Sequence, residues 1–250
     1  MVDQDKSLAS RAAYWLRDRL NARLFEVIDT EGKDVLDVGG GAFFTRLKRR
    51  GATWRRYVVL EPDASLLPPA VDGVELEVGS AEDMPFPNDS FDLILAIQVL
   101  EHVFDPITAT REMYRSLRPG GRIVILVPQS GTLHLVPHHY QNLTRFWLFE
   151  QAQRLGATVE LWQPIGGSWR TIASRLFLMF WPVLNLHATR DPELRHRSWR
   201  FWVLLPVQVV VAAVFFPIAM LLSVGDIKEE ANNHLFIVAK PPTDNGTRQG

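Results

Sequence analysis

VLDVGGGAFFTRL, residues Val35 to Leu47, is the stretch whose reading decides the fold. An apolar, β-branched run interrupted by Asp37 enters three consecutive glycines, and a helical pattern starts directly after them. Glycines at a strand-to-helix turn let the backbone approach a ligand closely, and a helix start offers unbonded N–H groups. Open α/β sheets bind nucleotide-type ligands at such turns, although a glycine cluster alone fits a plain tight turn equally well. The dinucleotide pattern G-x-G-x-x-G is met only in part. Gly39 and Gly41 supply its first two glycines, but Phe44 stands at the third. The next apolar run ends VVLEPD, placing Glu61 twenty residues after Gly41. A carboxylate at that separation can accept two hydrogen bonds from a ribose diol, and its plainer reading is a solvated loop glutamate.

Outward from the turn, short apolar runs alternate with helical patterns. Strands are expected at Asp34–Val38, Tyr57–Glu61, Val74–Val78, Phe91–Ile97, Arg122–Val127, Thr158–Gln163 and Asn233–Ala239. Helices are expected at Phe43–Arg50, Ile107–Leu117 and Leu143–Leu155, and residues 8–28 read as an amphipathic helix. This alternation indicates crossover units around a buried, mostly parallel sheet.

Four ordered segments then carry a family resemblance. VLDVGGG, LEPD, GSAEDMPFPNDSFDLILAIQVLEHV and LRPGGRIVILVP resemble the class I S-adenosylmethionine-dependent methyltransferases, in their small-molecule and lipid branch (type 11). The resemblance covers about Lys33 to Gly167 and resumes at the last strand. It implies a Rossmann-like, seven-stranded, mostly parallel doubly wound α/β sheet, with a hydrophobic helical insertion before the last strand. The expected organisation is an N-terminal amphipathic cap (1–32), a cofactor-binding core (33–167 plus 233–242), an insertion (168–232) and a flexible tail (243–250). The implied cofactor is S-adenosyl-L-methionine. By the same resemblance Asp37, Gly39, Gly40 and Gly41 line its methionine end, and Glu61 holds the ribose hydroxyls. Ser80, Ala81, Glu82 and Asp83 form the adenine loop, where Ser80 replaces a frequent aspartate and the backbone of Ala81–Glu82 carries recognition instead. Ile97 and Gln98 flank the methionine moiety, and Phe43 covers the cofactor's edge. The pair Glu101–His102 matches the family's EH and is expected to cap the following helix.

Methyl transfer needs a nucleophile held opposite the leaving sulfur, so positioning and desolvation can supply most of the acceleration. A base is needed only if the acceptor must lose a proton. The candidates lie in GTLHLVPHHYQNLTRFWL, after the fifth strand: His134, His138, His139 and Tyr140. Imidazole suits a base working near neutral pH, and for each histidine alone a structural hydrogen bond is the plainer use. Pro137, His138, Tyr140, Thr144, Arg145 and Leu148 also resemble the P-H-D-Y-x-R-x-T-R-x-x-L segment of methyltransferases associated with cell-envelope glycans, with His139 and Asn142 departing from it. The histidines lack carboxylates at ligand spacing, so no metal site is expected.

The composition divides unevenly. The whole chain is 47% hydrophobic with a formal charge of −1. Residues 168–225 hold six arginines against two acids, leaving an acidic remainder. Within them Phe201–Val224 runs 24 residues without a charge, longer than the roughly 20 needed to cross a bilayer. HRSWRFW before it supplies arginines and tryptophans of the interfacial kind. Against a crossing stand Pro206, Pro217 and the short companion run RLFLMFWPVLNL. The last strand must also return to the same sheet. A monotopic hairpin or in-plane helices on the cytoplasmic face of a membrane fit better, with a soluble lid or a homodimer interface as the alternatives.

Three functions follow from this reading. They are a membrane-associated methyltransferase with a hydrophobic or lipid-linked acceptor, a soluble methyltransferase of aromatic or polyketide-like small molecules, and a non-catalytic cofactor-binding membrane scaffold. Zero cysteine excludes thiolate metal sites and cysteine nucleophiles. The acidic body argues against nucleic acid as a partner. The start, MVDQDKSLASRAAYW, carries acids and lacks an apolar stretch, so a signal peptide is not expected.

Overall fold

The computed structural model describes residues 22–184 and 198–243. Expectations for residues 1–21, for 185–197 and for the tail from 244 lie outside them.

Helix α1 (Ala22–Val27) leads into strand β1 (Asp34–Val38), helix α2 (Phe43–Lys48), β2 (Arg56–Glu61) and β3 (Glu75–Val78). Strand β4 (Phe91–Ile97), helix α3 (Pro106–Ser116), β5 (Leu117–Pro128), α4 (Arg145–Arg154) and β6 (Thr158–Ile165) follow. Two long helices, α5 (Ser168–Leu184) and α6 (Trp199–Leu222), precede the last strand, β7 (Asn233–Ala239). The strands form one sheet in the order β3-β2-β1-β4-β5-β7-β6. Strands β1 to β5 run parallel, and β7 is antiparallel to both β5 and β6. This is the expected mostly parallel sheet, with the apolar helices inserted before its last strand.

The two faces of the sheet explain why the strands read as unbroken apolar runs. Leu36, Val38, Val58, Leu60, Ile94, Ile123 and Ile125 point to one face, where Met113 of α3 and Leu148 of α4 cover them. Val35, Val59, Leu93, Leu95 and Val124 point to the other, under Leu24 of α1 and Phe44 and Leu47 of α2. Successive side chains alternate between faces, so a sheet covered on both sides is apolar at nearly every position. The edge strand β3 escapes this rule and keeps Glu75 and Glu77 exposed. Strand β5 begins at Leu117, five residues earlier than the apolar run, because Phe91 pairs with Leu117 across a register shift.

The insertion departs from expectation in one respect. Helix α6 runs unbroken through Pro206 and Pro217. Its base is tied to the start of α5. The Asp226 carboxylate accepts from the Trp169 and Arg170 backbone N–H groups (2.8 and 3.0 Å), and Ser168 N–H donates to the Ile227 carbonyl (3.2 Å). The chain therefore leaves the body and returns to it at one place, and Phe177 of α5 meets Phe216 of α6. From Trp199 to Gly225 the helix is long and apolar enough to cross a membrane by length and composition, and 11% of its most apolar stretch is buried.

Candidate functional site

The turn after β1 is built around a buried acid. Asp37 is fully buried, and its Oδ2 accepts from the Tyr57 hydroxyl at 2.6 Å. Its Oδ1 has no hydrogen-bond partner among the described residues. Burial pushes the carboxyl up to about 7, opposed by the Tyr57 bond. Gly40 lies directly over this group, and a Cβ there would overlap the carboxyl carbon. Gly39 has φ +59° and donates its N–H to the Leu60 carbonyl at 2.8 Å, which ties the turn to the end of β2.

Glu61 closes the other side. It is buried, and its Oε1 accepts from the Gly41 N–H at 2.7 Å. Burial raises its pKa while that bond lowers it. Two desolvated carboxyl groups, one with an unpartnered oxygen, sit on either side of a glycine turn. They fit a ligand that carries positive charge and a diol, as S-adenosylmethionine does. Phe43 departs from its expected place over the cofactor. Its ring is buried in the core and stacks on Phe25 of α1 at 5.8 Å, where it gains more from packing than at an open rim.

The loop after β3 lies beside Glu61, since Gly79 N–H donates to the Glu61 carbonyl. Ser80 Oγ accepts from Glu82 N–H at 3.0 Å, and Ser80 and Asp83 form a one-residue bridge. The Glu82 carboxylate is taken by the Asp105 N–H (3.0 Å), and Ala81 is half-buried. At the end of β4, Ile97 is half-buried and Gln98 adopts φ +59°, a conformation uncommon outside glycine. The Gln98 amide donates to Asn233 Oδ1 at 3.0 Å, and Gln98 lines a cavity of about 200 Å³. That cavity also contains Thr132 and His134 from the loop after β5 and Ser174 and Arg175 from α5. The cavity therefore joins the β4 end to the foot of the apolar helices.

The histidines do not group as their sequence positions suggest. His138 turns away, with its ring against the Tyr140 hydroxyl at 3.1 Å. Tyr140 packs edge-on against exposed Phe104. His134 and His139 instead meet His102, which stands in the single 3-10 turn Leu100–His102 after β4. His102 Nε2 is 3.0 Å from His134 Nε2, and His139 Nδ1 is 3.1 Å from His134 Nδ1. Burial, then the His134 imidazole, holds His139 below its ordinary pKa. His102 is likewise lowered chiefly by burial. Glu101 is fully buried and its carboxyl is pushed up to about 8 by burial.

One expectation is corrected here. Glu101 and His102 do not cap α3; Asp105 does, accepting from the Ile107 and Thr108 N–H groups through its side chain. The expectation of no metal site considered spacing within HLVPHH; the fold brings His102 from another segment beside His134 and His139, with Glu101 Oε1 3.9 Å from His102 Nε2. Sequence reasoning also missed Tyr57, the partner of Asp37. Only the register of the sheet reveals it: Tyr57 pairs with Val35, so its ring lies on the face that Asp37 shares.

Residues 36–125 match the model of a methyltransferase domain family. An uncharacterized methyltransferase of Mycobacterium sp. (strain JLS) is 38% identical over 122 residues, 46% of this chain and 46% of that protein. A ubiquinone/menaquinone biosynthesis C-methyltransferase of Hahella chejuensis is 32% identical over 120 residues, 44% of this chain and 48% of that one. The chain thus spans about half the length of these curated relatives. Among solved structures, Haemonchus contortus phosphoethanolamine N-methyltransferase 2 bound to S-adenosyl-L-methionine shares the fold, with TM-score 0.56 and 17% identity over 91% of this chain and 53% of that one. Residues 36–125 of this chain thus match a methyltransferase domain family, and the chain shares the fold of solved methyltransferases.

Proposed function

We propose that the chain is an S-adenosylmethionine-dependent methyltransferase that works at the cytoplasmic surface of a membrane on a lipid, lipid-linked or otherwise hydrophobic acceptor. The observation that carries this reading is the cavity itself, which shares Gln98 with the cofactor end of the sheet and Ser174 and Arg175 with the apolar helix pair. Bound S-adenosylmethionine supplies an electrophilic methyl group. Asp37 would take its ammonium, Glu61 its ribose hydroxyls, and the Ala81–Glu82 backbone its adenine. Ile97 and Gln98 would border the methionine chain. The remaining work is positioning, with reacting atoms held about 3 to 3.5 Å apart and water excluded. His134 borders the cavity and is the imidazole best placed to meet an acceptor's proton.

The membrane half of the proposal is supported by α6, which exposes Trp199, Trp202, Val203, Val207, Val210 and Phe215. Contiguous apolar exposure on this scale marks an interaction surface. A pair of helices leaving and rejoining the body at Asp226 suits embedding from one side. The Mycobacterium and Hahella relatives match less than half of this chain, so the acceptor class rests on this insertion. Flotation of the full chain with anionic liposomes tests it. The protein should rise with the vesicles, and detergent-free monomers left at the bottom would refute the membrane reading. Label recovered in a soluble aromatic compound would favour the lid reading instead.

A further inference from the structure

The three clustered imidazoles hold their protons in a pattern that leaves a place for a cation. Carbonyl oxygens only accept, so each ring nitrogen that meets one must carry a proton. His102 Nδ1 lies 2.6 Å from the His138 carbonyl, and His134 Nδ1 lies 2.8 Å from the Thr132 carbonyl. His139 Nε2 faces Asn142 Oδ1 at 3.4 Å. The opposite nitrogens of the neutral rings, His102 Nε2, His134 Nε2 and His139 Nδ1, then carry lone pairs, that of His139 facing the protonated His134 Nδ1 at 3.1 Å. Two of them, His102 Nε2 and His134 Nε2, face each other at 3.0 Å. Two lone pairs hold that separation only with a proton or a metal ion between them.

A metal ion satisfies this arrangement. One ligand nitrogen from each ring lies within 4.8 Å of the others, a spread that an ion with roughly 2.0 to 2.1 Å nitrogen bonds can gather by small side-chain shifts. Histidines that bind metals donate their other N–H to a carbonyl or carboxylate, which fixes tautomer and ring orientation. All three rings here already do so. A second observation points the same way. Glu101 is fully buried, neither of its carboxylate oxygens has a hydrogen-bond partner among the described residues, and Oε1 stands 3.9 Å from His102 Nε2. A buried carboxylate without a partner is expensive unless positive charge is supplied beside it.

We propose that His102, His134 and His139 form a binding site for a divalent transition-metal ion of the zinc class, with Glu101 as its charge-balancing carboxylate. Imidazole donors suit zinc, cobalt and nickel rather than magnesium or calcium. The ion clamps the loop after β5 to the Leu100–His102 turn. Because His134 also lines the cavity, it presents a positive charge where an acceptor enters. Imidazoles whose lone pairs are taken up by the ion no longer serve as bases. A bound ion takes His134 from the base role given above and leaves it to position the acceptor; failure of the metal site returns it to that role, so the functional proposal stands either way.

The test uses the full chain, purified without a histidine tag and stripped with chelator, then titrated with Co²⁺ as a visible probe. Wild type should bind one Co²⁺ per chain with the absorption of a low-coordinate nitrogen site, displaced by Zn²⁺. His102→Gln and His134→Ala should each weaken binding at least about tenfold, while His138→Ala, whose ring faces away, should not. Unchanged affinity for S-adenosylhomocysteine checks that the variants fold. Cobalt-loaded wild type needs no variant: three paramagnetically shifted imidazole N–H resonances are expected. The proposal is overturned by absence of stoichiometric binding in the folded protein, by His102→Gln binding as wild type does, or by fewer than three shifted imidazoles. A ring cluster that only shares a proton would give the first of these results.

Discussion

Replacing Gly40 with alanine probes the cradle at its tightest point. Gly40 does not need a left-handed backbone, so alanine is conformationally allowed there, and the whole penalty comes from space. The new Cβ would occupy the position of the Asp37 carboxyl group, which is fully buried and bonded to Tyr57 at 2.6 Å. If the carboxyl group turns away, a hydrogen bond to a charged group is lost in the interior, worth about 1.5 to 3 kcal/mol. If the turn lifts instead, overpacking costs about 1 to 3 kcal/mol and the Gly41–Glu61 bond of 2.7 Å is disturbed. The expected destabilisation is about 3 kcal/mol, a large share of a total of roughly 5 to 15 kcal/mol. Affinity for S-adenosylhomocysteine should fall about 100-fold, which corresponds to about 2.7 kcal/mol. Gly41→Ala is the control. Its Cβ would meet nothing closer than Glu61 Oε1 at 3.8 Å, so only its φ of +49° is penalised, by about 1 to 2 kcal/mol. Urea melts and calorimetric titration read both quantities. Gly40→Ala proving milder than Gly41→Ala, in stability and in affinity alike, would refute the reasoning.

Cofactor affinity should rise with pH through about 7 and level off above it, because the ionised form of Asp37 is the one that attracts an ammonium group; a flat profile from pH 6 to 8 would remove Asp37 from that role. Tyr57→Phe should move the same inflection upward and destabilise the protein at pH 8 by about 1.5 to 3 kcal/mol, since it deletes the bond that favours the carboxylate. At the opposite end of the strands, Arg55 and Arg118 hold the Asp34 carboxyl down to about 2. Asp34 therefore stabilises the fold above its unfolded pKa of about 4, and that contribution of about 1 to 2 kcal/mol is lost as pH falls from about 4 to 2. Asp34→Asn should flatten the acid limb of stability over that range in denaturant titrations. Asp226→Ala frees two N–H groups at the start of α5 and should cost about 1 kcal/mol, seen as faster proteolysis of the helix pair with the cofactor affinity retained.

Local chemistry made most of the body legible. Strands β1, β4 and β7 follow the apolar runs to their first and last residues, because burial on both faces leaves no polar alternation to blur them. The glycine turn and Glu61 were legible for a related reason: a strand-end glycine followed at the right distance by an acid is a covalent spacing, fixed along the chain. Contacts across the sheet were not. Nothing near Asp37 in sequence announces Tyr57, and His102 lies 32 residues from His134. Proximity along the chain instead grouped His138 with its neighbours, although its ring points to Tyr140. The insertion was legible as apolar and helical, but the contact that closes its foot and the continuity of its second helix were not. The Asp226 tie at its foot joins positions 57 residues apart, and the unbroken path of α6 through two prolines runs against local propensity.

The most direct test is transfer itself. The full chain is incubated with methyl-labelled S-adenosylmethionine and a total lipid extract, and the products are partitioned between organic and aqueous phases. Label should enter the organic phase with wild type and vanish with Gly40→Ala. Label confined to the aqueous phase, or none transferred by a folded protein that binds the cofactor, would contradict the account.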